Sequence, residues 1–245
     1  MRTARSAGLH RLALATALAA AMPAAASSLQ VAPTGLDFPA GSTAQALWLT
    51  NTGSEELAAQ VRAFAWTQAA GEDVLEPTRE LVASPPMLRI APGARQLVRV
   101  IRSGGTASAD EQAYRIVVDE LPPPQDAGVS GVQYVLRYSV PVFVAGTDGT
   151  PPALTWTINV VDGGLQLDVR NGGATHAQLT AISLVGADGA PTELHPGLLG
   201  YVLPGANMHW RVAIPAGVDP ANARIEAQVN GNPTELPPPA RALPR

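Results

Sequence analysis

Outside its first 26 residues the chain has no stretch whose apolar residues recur every three or four positions; apolar and polar residues alternate instead in short runs. Alternation with period two buries one face of a strand, whereas an amphipathic helix needs a 3.6-residue repeat. Gly, Pro, Asn and Asp cut these runs at short intervals, and clusters such as Asn51-Thr52-Gly53-Ser54, Ala91-Pro92-Gly93 and Ser103-Gly104-Gly105 carry the turn chemistry that joins neighbouring strands. The fold class is therefore all-β. Strands are expected at Leu29–Val31, Ala44–Asn51, Ala58–Trp66, Met87–Ile90, Arg95–Ile101, Ala113–Leu121 and Gly131–Val144, a series that suits an immunoglobulin-like β-sandwich.

A composition break follows. Ala145-Gly146-Thr147-Asp148-Gly149-Thr150-Pro151-Pro152 has little apolar content and two adjacent prolines, so residues 146–153 are expected to form a short, stiff hinge. Beyond it Leu154–Val161, Leu165–Arg170, Gln178–Val185, Met208–Ile214 and Arg224–Val229 read as the strands of a second, shorter sandwich over residues 154–235, the first occupying 27–145. Residues 236–245 are rich in proline, which cannot donate ladder bonds, and are expected to be extended or disordered.

Residues 1–26 stand apart. Arg2, Arg5 and Arg11 precede an apolar run from Leu12 to Ala21, and small residues at Ala24 and Ala26 follow. That order describes a secretory signal peptide cleaved after Ala26. A membrane-spanning helix needs about 20 apolar residues, and this run is shorter and ends at Pro23. Removing 26 residues from 245 leaves 219, room for two domains of about 100 residues with a core each. The chain has no cysteine, so an exported protein of this sequence is held by packing and backbone pairing, which suits the periplasm.

All 16 basic residues are arginine, which excludes Schiff-base lysines and the phosphate-binding P-loop. The net charge is −4 and the arginines are scattered singly, so nucleic-acid binding is not expected. No Gly-x-Ser-x-Gly occurs and no cysteine can act as nucleophile, so neither catalytic residues nor a cofactor is expected. His176, His195 and His209 lack the i, i+4 spacing of a helical zinc motif. Glu55-Glu56, Glu72-Asp73 and Asp110-Glu111 fall in expected turns, where solvated loop charge explains them better than acid–base chemistry, which needs a buried carboxyl. Trp48, Trp66, Trp156 and Trp210 offer either a carbohydrate platform or core; Trp48 and Trp66 lie in apolar strand segments, which favours core.

The most informative stretch is Tyr114-Arg115-Ile116-Val117-Val118-Asp119-Glu120-Leu121-Pro122-Pro123-Pro124, followed after a polar connection by residues 132–143. It reads as a long hairpin. In its second strand Val132, Tyr134, Leu136 and Tyr138 share one face, and Gln133, Val135, Arg137 and Ser139 the other. An apolar edge of that length is an aggregation hazard usually blunted by charge or a bulge, and the central stretch here is unblunted. Periodicity alone fits two roles equally: side chains that fill the core, or an edge kept open for a partner.

The wording and order of these segments resemble the PapD-like periplasmic pilus chaperones, and most closely their archaic, Csu-type branch. The resemblance rests on Ala46-Leu47-Trp48-Leu49-Thr50-Asn51-Thr52-Gly53, Val61-Arg62-Ala63-Phe64-Ala65-Trp66, Ser84-Pro85-Pro86, the run from Tyr114 to Pro122 and Leu136-Arg137-Tyr138-Ser139-Val140-Pro141, and more weakly on Gly200-Tyr201-Val202-Leu203. It implies two immunoglobulin-like domains set in an L, pilin subunits held along the last strand of the first domain, delivery to an outer-membrane usher, and no enzymatic activity. Pilins of this kind lack a final strand, and the chaperone strand fills their groove by β-augmentation. On this resemblance Val132, Tyr134 and Leu136 are the donated anchors, with Ser130 and Tyr138 at the margins. Three such anchors contribute about 5–9 kcal/mol before association costs are subtracted.

Better-known members hold the pilin C-terminal carboxylate with an Arg–Lys pair in the interdomain cleft; here Pro141 stands where the lysine belongs, and the first strand offers no arginine near Thr34. Pairing Leu121 with about Val132 puts Arg115 opposite Tyr138, at the end of the strand nearest the hinge. A guanidinium there can bind a carboxylate bidentately at any relevant pH, so Arg115 is the expected anchor. Arg137, on the pleat side of Pro141, is the second choice, and an internal salt bridge with Asp119 or Glu120 is the competing role for both. Two other classes stay open: a structural pilus component, normally one domain with an amino-terminal donor extension, and a secreted carbohydrate-binding accessory protein. Self-capping through the same strands is a further expectation for the free chain.

Overall fold

The computed structural model describes residues 29–104, 108–122, 134–161, 164–186, 189–215 and 223–237. The expected signal peptide, Ser130, Val132 and residues 238–245 lie outside them. Among the described residues every regular element is a strand. The first half holds β1 (Leu29–Ala32), β2 (Leu36–Phe38), β3 (Ala44–Asn51), β4 (Leu57–Ala69), β5 (Glu72–Pro77), β6 (Leu81–Ser84), β7 (Met87–Ile90), β8 (Arg95–Arg102), β9 (Gln112–Leu121) and β10 (Arg137–Val144). The second half holds β11 (Leu154–Val161), β12 (Gly164–Asn171), β13 (Ala177–Val185), β14 (Pro191–Val202), β15 (Asn207–Ala213), β16 (Arg224–Val229) and β17 (Asn232–Leu236).

In the first sandwich a sheet ordered β1-β3-β8-β6 faces one ordered β2-β10-β9-β4-β5, with β7 also pairing to β4. Leu47, Leu49, Val98, Val100, Ile116, Val118 and Val142 alternate inward along their strands and pack one core. Strand β9 lies between β10 and β4 with most of both faces buried, which explains its unbroken Ile116-Val117-Val118 run. The second sandwich sets β11-β12-β15 against β14-β13-β16-β17 around Ile158, Leu165, Leu167, Ile182, Leu184 and Ile225.

Both halves use the same turn device. Asn51, fully buried, donates to the carbonyls of Glu55 (2.7 Å) and Ile90 (2.9 Å) and accepts from Gly53 N–H (2.9 Å). Asn171, also fully buried, donates to Thr175 (2.8 Å) and Val202 (3.1 Å) and accepts from Gly173 N–H (2.9 Å). A buried amide is tolerated only when its donors and acceptor are met, and each of these is. Asn171 Oδ1 also takes the Ala153 N–H at 3.1 Å, so the second turn reaches the connection between the halves. A Cβ on Gly173 would lie 2.1 Å from the Pro151 carbonyl oxygen, which admits only glycine. The connection is stitched to the first half by Thr147 N–H to Ser108 O and Asp148 N–H to Ala109 O, both 2.9 Å.

The architecture departs from expectation at several places. Strands β2, β5, β6, β14 and β17 were not expected; most are short, and β5 is exposed on nearly every residue, so it shows no alternation. Glu72 and Asp73 open β5 instead of lying in a turn. Of the strand expected at Gly131–Val144, the described residues carry β10 at Arg137–Val144, with Tyr134, Val135 and Leu136 outside it. Leu236, assigned to the tail, is buried as the last residue of β17.

Candidate functional site

The register of β9 and β10 builds the site. Arg137 pairs with Asp119, Ser139 with Val117, Pro141 with Arg115 and Phe143 with Ala113. Directly paired residues point to the same face, so Arg115, Asp119, Arg137, Ser139 and Phe143 lie together on the face turned away from the first core. Phe64 pairs with Arg115 and Gln68 with Asp73, which brings β4 and β5 onto that face.

At the end of β10 nearest the connection between the halves, this face meets the second half through a cluster of rings. Trp66 and Phe143 from the first half pack with Tyr201 and His176 from the second; Trp66 meets Tyr201 edge-on at 5.4 Å, and His176 stacks on Phe143 at 3.5 Å. Aromatic pairs of this kind are worth about 0.5–1.5 kcal/mol each beyond their burial. Polar bonds cross the junction too. Gln68 donates to Tyr201 O and accepts from Leu203 N–H, both at 2.9 Å, and Glu111 takes the His176 Nδ1 at 2.6 Å and its backbone N–H at 3.0 Å. Gly71 bridges to Met208, and a Cβ there would lie 1.9 Å from His209 Nδ1.

Arg115 sits on this junction. Its guanidinium carbon lies 3.7 Å from the Trp66 ring centre and 5.3 Å from that of Tyr201, a cation–π arrangement drawn from both halves. The side chain is only 12% exposed, yet its polar contacts are long: Nη1 to Ser139 O at 3.5 Å and Nη2 to Asp73 Oδ2 at 3.9 Å. Burial pushes its pKa below the usual arginine range, and Asp73 pulls the other way.

The far end of the pair is organised differently. Asp119 is buried and accepts from Arg62 Nη2 at 2.6 Å and from Arg137 Nε, tying β4, β9 and β10 together. The ladder closes just beyond: Glu120 N–H donates to Leu136 O at 2.9 Å, while Leu136 N–H goes to the Glu120 carboxylate at 3.3 Å. Alternation along the strand then turns the amides of Tyr138 and Val140 toward β9 and those of Arg137 and Ser139 toward the opposite edge. On that edge, among the described residues, β2 pairs with β10 from Val142 to Val144 only. Pro141, which has no N–H to donate, also falls there, a position where a strand tolerates proline. Next to this stretch Tyr134 is 83% exposed and Val135 also stands in solvent, while Leu136 is half-buried.

Residues 28–148 match the family model for the pili and flagellar-assembly chaperones, PapD N-terminal domain. A chain of the CsuC–CsuE chaperone–tip adhesion subunit pre-assembly complex, from the archaic chaperone-usher Csu pili of Acinetobacter baumannii, superposes with a TM-score of 0.62 at 25% identity, covering 85% of this chain and 96% of that one. Through residues 28–148 the chain belongs to the PapD-type pilus-assembly chaperones. Two further likenesses carry the fold. A chain of the Salmonella enterica SafA pilin–SafB chaperone complex gives 0.61 at 18% identity over 90% of this chain and 98% of that one. The E. coli chaperone DraB gives 0.59 at 18% identity over 86% and 98%. Among curated protein sequences none matches.

Within this PapD-type frame, the expected pairing of Leu121 with Val132 is corrected by three residues: Arg115 stands opposite Pro141, not Tyr138. An odd shift exchanges faces, and the hydrophobic pattern decides it. Tyr114, Ile116 and Val118 must share the inner face with Val140 and Val142, which places Tyr138 inward, its hydroxyl donating to Leu29 O at 2.5 Å. Of the expected anchors, Tyr134 and Leu136 lie in the irregular stretch just before β10, and Val132 falls outside the described residues. Arg115 reaches the junction of the halves; Arg137 does not, being tied to Asp119 within the first half.

For the tryptophans the expectation of core holds in part: Trp66 is buried, Trp48 only half so. Trp48 is half-buried on the outer face of β3 beneath the Arg95 guanidinium at 3.9 Å, and Trp66 is buried in the junction instead of the first core. Glu111 and Asp73 are partners of His176 and Arg115, not idle loop charge. Phe143, Tyr201, His176 and Gln68 went unrecognised as a group, because residues from two domains converge only after folding.

Proposed function

We propose that this chain is a periplasmic chaperone that caps pilin subunits by lending them the edge of β10 and delivers them to an outer-membrane usher. The observation that carries this reading is the open edge at Arg137–Ser139, continuous with exposed Tyr134 and Val135 and running toward a desolvated, weakly paired Arg115. An edge strand with outward amides and alternate apolar side chains is the donor half of a β-augmentation joint. Val132, Tyr134 and Leu136 are the proposed anchors, and Arg115 the proposed seat for the subunit's terminal carboxylate. The pilin belongs to the reading by analogy with the chaperone–subunit complexes that share the fold. The division into an N-terminal subunit-binding domain at 27–145, a hinge at 146–153 and a C-terminal domain at 154–235 is part of the same proposal.

The test is co-expression of the signal-bearing chain with a pilin-like subunit, followed by size-exclusion of the periplasmic extract, for wild type, Leu136→Glu and Arg115→Ala. A 1:1 complex weakened by both substitutions supports strand donation and the carboxylate seat together. Weakening by Leu136→Glu alone keeps the donor strand and removes Arg115. Folded wild type that captures no subunit sinks the reading.

A further inference from the structure

We propose that Asp73 is a built-in competitor for Arg115, a residue that sets how tightly the site takes a carboxylate. The inference rests on the assignment of Arg115 as the carboxylate seat. Asp73 Oδ2 stands 3.9 Å from Arg115 Nη2, too far for a hydrogen bond but close enough to offset much of its charge. Among the described residues the other terminal nitrogen is met only by Ser139 O, at 3.5 Å. Both ends of the guanidinium are therefore held loosely by oxygens, while its face rests on Trp66 at 3.7 Å. A carboxylate binding bidentately forms two charge-assisted bonds of about 2.7–2.9 Å. Such a ligand displaces Asp73 and gains over it.

Asp73 has somewhere to go. It is nearly half-exposed on β5, an edge strand of its sheet, and its other oxygen accepts from Gln68 Nε2 at 2.9 Å. Gln68 also bonds Tyr201 and Leu203 of the second half, so the competitor is tied to the contact that joins the two domains. A seat neutralised from within binds its ligand less tightly than a bare arginine. That suits a subunit that must be released.

The test follows the Arg115 Nε–Hε resonance by NMR during titration with acetate, with acetamide as the uncharged control, in wild type and in Asp73→Asn. Asparagine keeps an oxygen for Gln68 and removes only the charge; Asp73→Ala is the second variant, and Arg115→Ala assigns the signal. A partly exposed ion pair is worth about 0.2–1 kcal/mol, so acetate is expected to saturate the resonance at a roughly 1.4- to fivefold lower concentration in Asp73→Asn. Equal or weaker binding in both Asp73 variants overturns the competitor role while leaving the seat in place. No acetate response at Arg115 in any form overturns the seat and the competitor together.

Discussion

The two ends of the β9–β10 pair carry the same kind of side chain and treat it in opposite ways. At the hinge end Arg115 is almost covered, lies on aromatic rings from both domains and has polar contacts no shorter than 3.5 Å. At the far end Arg137 is 69% exposed and bonded directly to Asp119, which Arg62 holds from the other side at 2.6 Å. A cation taken out of water but only loosely paired keeps its capacity for an incoming anion; one already satisfied has little left to offer. The far end ties three strands together through Asp119, and the proposed carboxylate seat lies at the other end, where Arg115 is only loosely paired.

The largest effect that would sharpen this contrast is Arg115→Ala. Removing one partner of a desolvated charge pair costs about 2–5 kcal/mol, so subunit capture is expected to fall at least about 30-fold, measured by quantitative pull-down. Arg115→Lys should recover little of it, because an ammonium lacks the planar fork.

Tyr134→Ser comes next. Losing one apolar anchor is expected to weaken capture by about 1.5–3 kcal/mol. The melting temperature should stay unchanged, since the ring is already in solvent. A large drop in stability instead would place Tyr134 in the core of the free protein.

Asp119→Asn should act on stability rather than capture, by about 1–3 kcal/mol, read from urea unfolding. Burial by itself raises the Asp119 pKa, but bonds from Arg137 and Arg62 outweigh it and hold the carboxyl below its usual range. A carboxyl lowered by folding contributes stability that is complete above its unfolded pKa of about 3.9 and is lost as pH falls through the folded value. Wild type is therefore expected to lose stability more steeply than Asp119→Asn as pH drops below about 4. A parallel acid limb in the two proteins would break this assignment. Arg137→Ala should do least, under about 1 kcal/mol in stability, with capture unchanged; an effect on capture equal to that of Arg115→Ala would erase the distinction between the two ends.

Much of this was legible in the order of residues. Alternation around Leu47-Trp48-Leu49 and Val98-Arg99-Val100, and the Asn-x-Gly turns after β3 and β12, gave the strands and their connections. The register of β9 with β10 was also legible, from the inward set Ile116, Val118, Val140 and Val142, but reckoning from the Leu121 end concealed it. The ladder stops at Leu136, next to a connection whose prolines cannot donate. What local pattern could not reveal is the junction. Trp66, Arg115, Phe143, His176 and Tyr201 come from four strands and a turn, and nothing in the spacing of Glu72-Asp73 announces a partner 42 residues away at Arg115.

If β10 offers its outer edge to a subunit, amide hydrogen exchange will register it residue by residue. In the free protein the amides of Arg137 and Ser139 should exchange rapidly, while those of Tyr138 and Val140, bonded toward β9, should be protected. On forming a complex with a pilin-like subunit, Arg137 and Ser139 are expected to become protected as strongly as their neighbours. A stable complex in which these two amides exchange as fast as before would contradict strand donation.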